Sequence, residues 1–275
     1  MGAFSGNSLR RAGAVAVAVA GLAWALFSPA ALAQSTMNKD VTVLAAGSLR
    51  EVMKDLGDAF RKQSGIGLSA TFGPSGGLRK DIEGGRQIDV FASADLAHTD
   101  ALAARKLLVQ SQTFAYNDLC VVAMPALGLN EANLLDVLLR PTVRLATSTP
   151  VSDPMGDYTW QFFRNADKLR PGTFAVFDAK ALKLSGASAP LPGQKLPYVT
   201  AFEDGKTDAY IMYCTNAAST LKALPQLDVV CIPEALNVRS SYGIGAAPGS
   251  RQGEQFVRFV LGEEGRRILR AHGFN

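Results

Sequence analysis

The sequence predicts an α/β protein built as two lobes, and three observations carry that reading. Short β-type runs alternate with helix-period stretches along nearly the whole chain. A unit of strand, small-residue turn and helix recurs in both halves, at "VTVLAAGSL" (41–49), "ATFGPSGGL" (70–78) and "VRLATSTPVSDPMGDY" (143–158). A further apolar run, "LCVVAM" (119–124), marks a change of context between the halves. Strands alternating with helices imply mostly parallel sheets, because parallel neighbours need crossover connections.

The elements follow in order. "VTVLAA" (41–46) is an uninterrupted apolar run and reads as a buried strand. Over 49–63, Leu49, Val52, Met53, Leu56, Ala59 and Phe60 recur at the spacing of one helix face. "GLSATFG" (67–73) reads as a strand and "GLRKDIEGG" (77–85) as a short helix closed by glycine. "IDVFASA" (88–94) is a strand, with a helix from Asp95 to about Arg105. After 119–124 come a helix over 131–139, a strand over 143–148 and a helix from about Asp157. Residues 173–197 look irregular and grow rich in Pro, Gly and Ser. "DAYIMY" (208–213) is a strand followed by a helix to about Leu224. "DVVCIP" (228–233) and "SYGIGAA" (241–247) are strands, and two helices close the chain. The expected division is 34–118 plus 237–275 for lobe I and 119–236 for lobe II, with connections near 117–121 and 229–241.

The first 33 residues read as an export leader rather than fold. Arg10 and Arg11 precede an apolar run, Ala12 to Phe27, and Ala31-Leu32-Ala33 forms an A-x-A cleavage site. The run is short for a membrane span, which needs about 20 residues. Cleavage after Ala33 leaves roughly 240 residues, enough for two lobes or one large domain, and places the protein in the periplasm. The leader holds two of the 28 basic side chains and none of the 24 acidic ones, so the remainder is nearly neutral. No basic run points to nucleic acid. Cys120, Cys214 and Cys231 allow at most one internal bridge, and their spacing matches no zinc pattern. With His98 and His272 as the only histidines, a histidine-rich metal site is excluded.

The three recurring junctions carry the chemistry. A helix begins with amide hydrogens that lack intrahelical partners and with partial positive charge, so it can hold an anion without a charged side chain. Ser48 and Ser75 add hydroxyl donors at two of these starts. A serine there also serves as a plain N-cap, worth about 1 kcal/mol, and spacing alone leaves both readings open.

From Val41 to Phe274 the chain resembles the molybdate-binding (ModA-type) receptors of ABC importers. The resemblance rests on "VTVLAAGSL", "ATFGPSGGLRKDIEGG", "IDVFASAD", "SDPMGDYTWQFF", "DAYIMYCTNA" and "FVRFVLGEEGRRILRAHGF". It implies the class II periplasmic-binding fold, α/β with a ligand cleft between two lobes. It also implies a soluble, monomeric receptor that hands molybdate or tungstate to a membrane permease, with no catalytic role and no cofactor. The donors it implies are the hydroxyls of Ser48, Ser75 and Tyr213 and the backbone amide near Met155. Ser48, Ser75 and Tyr213 would reach the metal of such an ion only through its oxygens. A further backbone donor falls in "GQKLPYVTA" and is not assignable from sequence. Asp153 departs from the common bacterial pattern and either caps the following helix or acts as an additional ligand. A Cys120–Cys214 disulfide near the hinge, with Cys231 a buried thiol, is expected alongside. The alternatives are another solute in the same fold (sulfate, phosphate or a small carboxylate) and, more remotely, a secreted serine hydrolase using the G-x-S-x-G letters at 73–77. The last lacks a convincing histidine base. His98 is expected on a helix surface, Trp160 packed on its own helix, and Arg50 and Arg79 on solvated faces.

Overall fold

The computed structural model describes residues 40–188 and 193–275, so the leader expected over 1–33 lies outside the described residues. The chain forms β1 (Val41–Ala46), a 3₁₀ turn (Gly47–Leu49), α1 (Arg50–Ser64), β2 (Leu68–Gly73), α2 (Ser75–Glu83), β3 (Val90–Ser93), α3 (Leu96–Ala104) and β4 (Gln112–Asn117). It continues with β5 (Leu119–Ala123), α4 (Leu134–Leu138), β6 (Leu145–Ser148), α5 (Pro154–Leu169), α6 (Thr173–Lys180), β7 (Leu182–Ser185), α7 (Pro197–Glu203), β8 (Ala209–Tyr213), α8 (Cys214–Ala223) and β9 (Asp228–Cys231). β10 (Ser240–Ala246), α9 (Arg251–Leu261) and α10 (Glu263–Ala271) complete it.

Two five-stranded sheets organise these elements. The first runs β2-β1-β3-β10-β4 and the second β7-β6-β8-β5-β9. In the first, β1 is parallel to β2 and β3, while β10 runs antiparallel to β3 and β4. In the second, β6 is parallel to β7 and β8, and β5 runs antiparallel to β8 and β9. The chain passes between the sheets twice, at Asp118 and again between β9 and β10. Arg239 pairs with Asp118 at 3.3 Å and ties the two passages together. Cys120 and Cys214 are joined by a disulfide with Cα atoms 4.9 Å apart. The bridge links β5 to the start of α8.

Each lobe buries an apolar face against its sheet. In α1, Val52, Met53, Leu56 and Phe60 are buried as their spacing predicts, and Gly65 ends the helix in the left-handed region at φ 76°. Phe60 meets Phe256 edge-on at 5.2 Å. In the second lobe Phe162, Phe163 and Phe177 cluster with ring centroids 4.8–5.9 Å apart. Full burial of such a side chain is worth about 1.5–3 kcal/mol.

The structure departs from the sequence reading in several places. β4 was not anticipated; it is an edge strand paired with β10 alone. The region 173–197 holds α6, β7 and the start of α7 rather than irregular chain. α5 begins at Pro154, not near Asp157, because proline is well suited to the first helical position. Cys231 is an exposed thiol rather than a buried one, because β9 is the outer strand of its sheet. His98 is not a free surface residue, since both ring nitrogens are enclosed. Trp160 packs on Phe163 at 5.1 Å and donates to Asp178, as a structural tryptophan does.

Candidate functional site

In a parallel α/β sheet, ligands gather beyond the carboxyl ends of the strands. Here β1, β2, β6 and β8 each run directly, or through a short turn, into a helix, and the starts of α1, α2, α5, α7 and α8 face one cavity between the sheets. The cavity has a volume of about 70 Å³, several times the roughly 10–15 Å³ that admits one water. Its wall includes Ser48 and Arg50 from the first lobe, with Asp153, Met155, Tyr198, Tyr213 and Asn216 from the second. The lobes touch beside it. Gly76 donates its backbone N–H to the Ser152 carbonyl at 3.0 Å. A Cβ on Gly76 would sit 2.5 Å from the Val151 carbonyl, so the close approach requires glycine. Lys222 and Glu51 pair across the same boundary at 3.0 Å.

Tyr213 ends β8 and serves as the N-cap residue of α8. Its hydroxyl is buried and has no hydrogen-bond partner among the described residues. Its ring is held between Tyr158 and Tyr242, with centroids 6.4 and 5.7 Å away. Burial raises its phenol well above the usual range, so it stays protonated and remains a donor. The Tyr242 hydroxyl is close enough to weigh on it electrostatically, but the pair lacks hydrogen-bond geometry.

Ser48 lies in the 3₁₀ turn after β1, and its Oγ is 2.9 Å from the Tyr242 hydroxyl. The Asn117 amide donates to that same hydroxyl at 3.2 Å. An amide nitrogen can only donate, so Tyr242 accepts there and can pass its own proton to Ser48. That leaves the Ser48 proton for the cavity. The relay brings together residues 48, 117 and 242, and Tyr242 carried no local sequence signal.

Ser75 departs from expectation. It is the first residue of α2, with Pro74 as the N-cap residue, and its side chain is buried. Its Oγ accepts from the Ala94 backbone N–H at 3.1 Å, while Gly73, Pro74 and Ala94 form the cavity wall there. Ser75 thus sits behind the wall. Neither histidine serves it as a base: His272 bonds Asp55 at 2.8 Å, and the His98 ring nitrogens have no partner among the described residues.

Asp153 is the N-cap residue of α5, and its Oδ1 accepts from Met155 N at 3.3 Å. The amide expected to face a ligand is therefore engaged by a carboxylate on the cavity wall. Asp153 is half-buried and lines the cavity. Burial pushes its carboxyl up to about 6, against the hydrogen bond from the Met155 amide and the pull of the neighbouring Ser148 hydroxyl, with the Asp157 charge adding to the rise. Arg50 is exposed, as expected of a solvated face, and it also borders the cavity and stacks on Phe72, its guanidinium carbon 4.6 Å from the ring centre. Arg79 pairs with Glu83 at 3.7 Å. Asn216 lies one helical turn beyond Tyr213, a spacing that could have revealed it. Tyr198, at the start of α7, falls in the stretch left unassigned. Among the described residues no group of three or more His, Cys, Asp or Glu is placed to hold a metal ion.

A family model described as bacterial extracellular solute-binding protein matches residues 41–275. The chain belongs to this family. An uncharacterised protein of Pasteurella multocida is 35% identical over 207 residues, covering 74% of this chain and 86% of that protein. The molybdate-binding protein ModA of Mycobacterium tuberculosis is 29% identical over 252 residues, 90% of this chain and 88% of its own. Among solved structures, the periplasmic molybdate-binding protein of Azotobacter vinelandii aligns with a TM-score of 0.68 at 20% identity, over 86% of this chain and 99% of that one. The sulfate-binding protein SubI of Mycobacterium tuberculosis aligns with 0.69 at 16% identity, over 86% of each chain. At these identities the structural matches speak for the fold: two α/β lobes of the periplasmic-binding type, in the arrangement expected from the sequence.

Proposed function

We propose that this chain is the exported receptor of an ABC importer and that it captures a tetrahedral oxyanion, molybdate or tungstate, in the interlobe cavity. The observation that carries the reading is Tyr213, a residue lining a cavity ringed by helix starts from both lobes, whose hydroxyl is buried with no hydrogen-bond partner among the described residues. A buried hydroxyl without a partner costs roughly 1–3 kcal/mol, and an oxygen of a bound anion would remove that cost. Ser48 supplies a second hydroxyl from the opposite lobe. Ser75 becomes a donor if the ligand draws Pro74 aside, while the Met155 amide faces the site with the Asp153 carboxyl still bound to it. The match of most of this chain to relatives named molybdate-binding protein ModA supports molybdate as the ligand. The receptor works as a monomer, without cofactor or catalysis, and closes by rotation about the two passages between the sheets.

A second reading has its own support. A protonated anion such as hydrogen phosphate needs an acceptor, and the Asp153 carboxylate offers one on the cavity wall. Titration calorimetry with molybdate, tungstate, sulfate and phosphate separates the two. Submicromolar binding of the first two, with sulfate about 100-fold weaker, a gap of about 2.7 kcal/mol, is the expected result. Comparable or tighter binding of sulfate or phosphate refutes the molybdate assignment.

A further inference from the structure

The cavity proposed to receive a doubly negative ion has a carboxylate built into its wall. Asp153 cannot easily leave. Its Oδ1 is tied to Met155 N. On its other side stands Gly186 at φ +79°, packed so closely that a Cβ there would lie 2.7 Å from Asp153 Cβ and 2.8 Å from Oδ2. Among the described residues no cation forms an ion pair with it. On its own helix the nearest charge is Asp157, of the same sign. The titratable groups facing it from other elements are the phenols of Tyr198, Tyr210, Tyr213 and Tyr242, all held protonated by burial. The one cationic side chain on the cavity wall among the described residues, Arg50, belongs to the opposite lobe and lies over Phe72. An ionised Asp153 and an oxyanion would therefore share one small cavity with no cation paired to the carboxylate among the described residues, and like charges at that separation repel.

We propose that Asp153 couples anion capture to one proton: the site closes on a tetrahedral anion only with the Asp153 carboxyl in its neutral form, donating an O–H to an anion oxygen. This inference rests on the oxyanion reading above. The balance is simple. For an ion that carries no proton, such as molybdate, the carboxylate takes one H⁺ from solvent and no bond of the anion is made or broken. For hydrogen phosphate the ion brings the proton and net uptake falls toward zero. Burial already lifts the Asp153 carboxyl to about 6, so the free protein above neutrality is mostly ionised there and must protonate on binding. The site would thus favour capture from mildly acidic surroundings.

The test is calorimetry of the full-length mature protein with molybdate at pH 7.5, in buffers of different ionisation enthalpy. The slope of apparent enthalpy against buffer enthalpy counts the protons exchanged. A slope of about one proton taken up, and affinity falling about tenfold per pH unit between pH 7 and 9, is expected. Asp153→Asn keeps a favoured cap residue and should bring the slope to about zero and flatten the pH dependence. Binding with zero slope in the unaltered protein overturns the proposal and leaves the oxyanion reading intact. Absence of binding by molybdate, tungstate, sulfate and phosphate alike overturns both. Should Asp153→Asn fail to fold, the slope and pH dependence of the unaltered protein still decide the matter.

Discussion

Replacing Tyr213 by Phe should make the empty receptor more stable and the loaded one weaker. The phenol oxygen is buried, with no hydrogen-bond partner among the described residues, so deleting it removes a desolvated group and leaves the ring between Tyr158 and Tyr242 undisturbed. An unsatisfied buried polar group costs about 1–3 kcal/mol, so Tyr213→Phe should gain about 1 kcal/mol or more in urea denaturation without ligand. With an anion present the sign reverses. A hydrogen bond to a charged partner is worth about 1.5–3 kcal/mol, so the molybdate Kd should rise about tenfold to a hundredfold. Denaturation and calorimetry on the same preparation give both numbers. Unchanged affinity, or an empty variant that loses stability, would show that the hydroxyl serves the fold and refute the reasoning.

Three further outcomes follow from the same geometry. Asp153→Asn should stabilise the ligand-free protein at neutral pH: the native carboxyl titrates at about 6 against an ordinary 3.8. The native state therefore keeps the proton longer than the unfolded chain. The unaltered protein should lose at most about 3 kcal/mol relative to the variant as pH rises from about 4 through 6, and parallel denaturation curves across that range would contradict the assignment. Gly76→Ala places a methyl 2.5 Å from the Val151 carbonyl; overpacking of about 1–3 kcal/mol should push the lobes apart there and weaken anion binding, and equal affinity would show that the lobes need not meet there. Cys120→Ser with Cys214→Ser opens a bridge spanning 94 residues and should cost about 2–5 kcal/mol in denaturation; a smaller loss would mean that the reduced chain keeps the hinge ordered.

Much of the fold was legible because its signals are local. The apolar period of α1 and the continuous apolar runs of β1 and β8 are set by residues next to one another in sequence. β4 escaped because "QTFAYN" mixes polar and apolar residues, as an edge strand can. α6 escaped because "TFAVFDAK" lacks a clean apolar face. The candidate site divides in the same way. Ser48, Met155, Tyr213 and Asp153 stand at strand-to-helix junctions and all line the cavity. Ser75 stands at an equivalent junction, yet the proline before it takes the wall position. Tyr242 and Arg50 reach the site through pairings and stacking that no local pattern encodes, and His98 is enclosed within a group of charges, Asp95, Arg79, Asp157 and Glu83, drawn from both lobes.

The most direct test is a crystal of the mature protein soaked in tungstate and measured at the tungsten absorption edge. One strong anomalous peak is expected between the lobes, with ligand oxygens within about 3 Å of Tyr213 Oη and Ser48 Oγ. A saturated crystal with no peak there, or with its peak on an outer surface while both hydroxyls stay unliganded, would contradict the account.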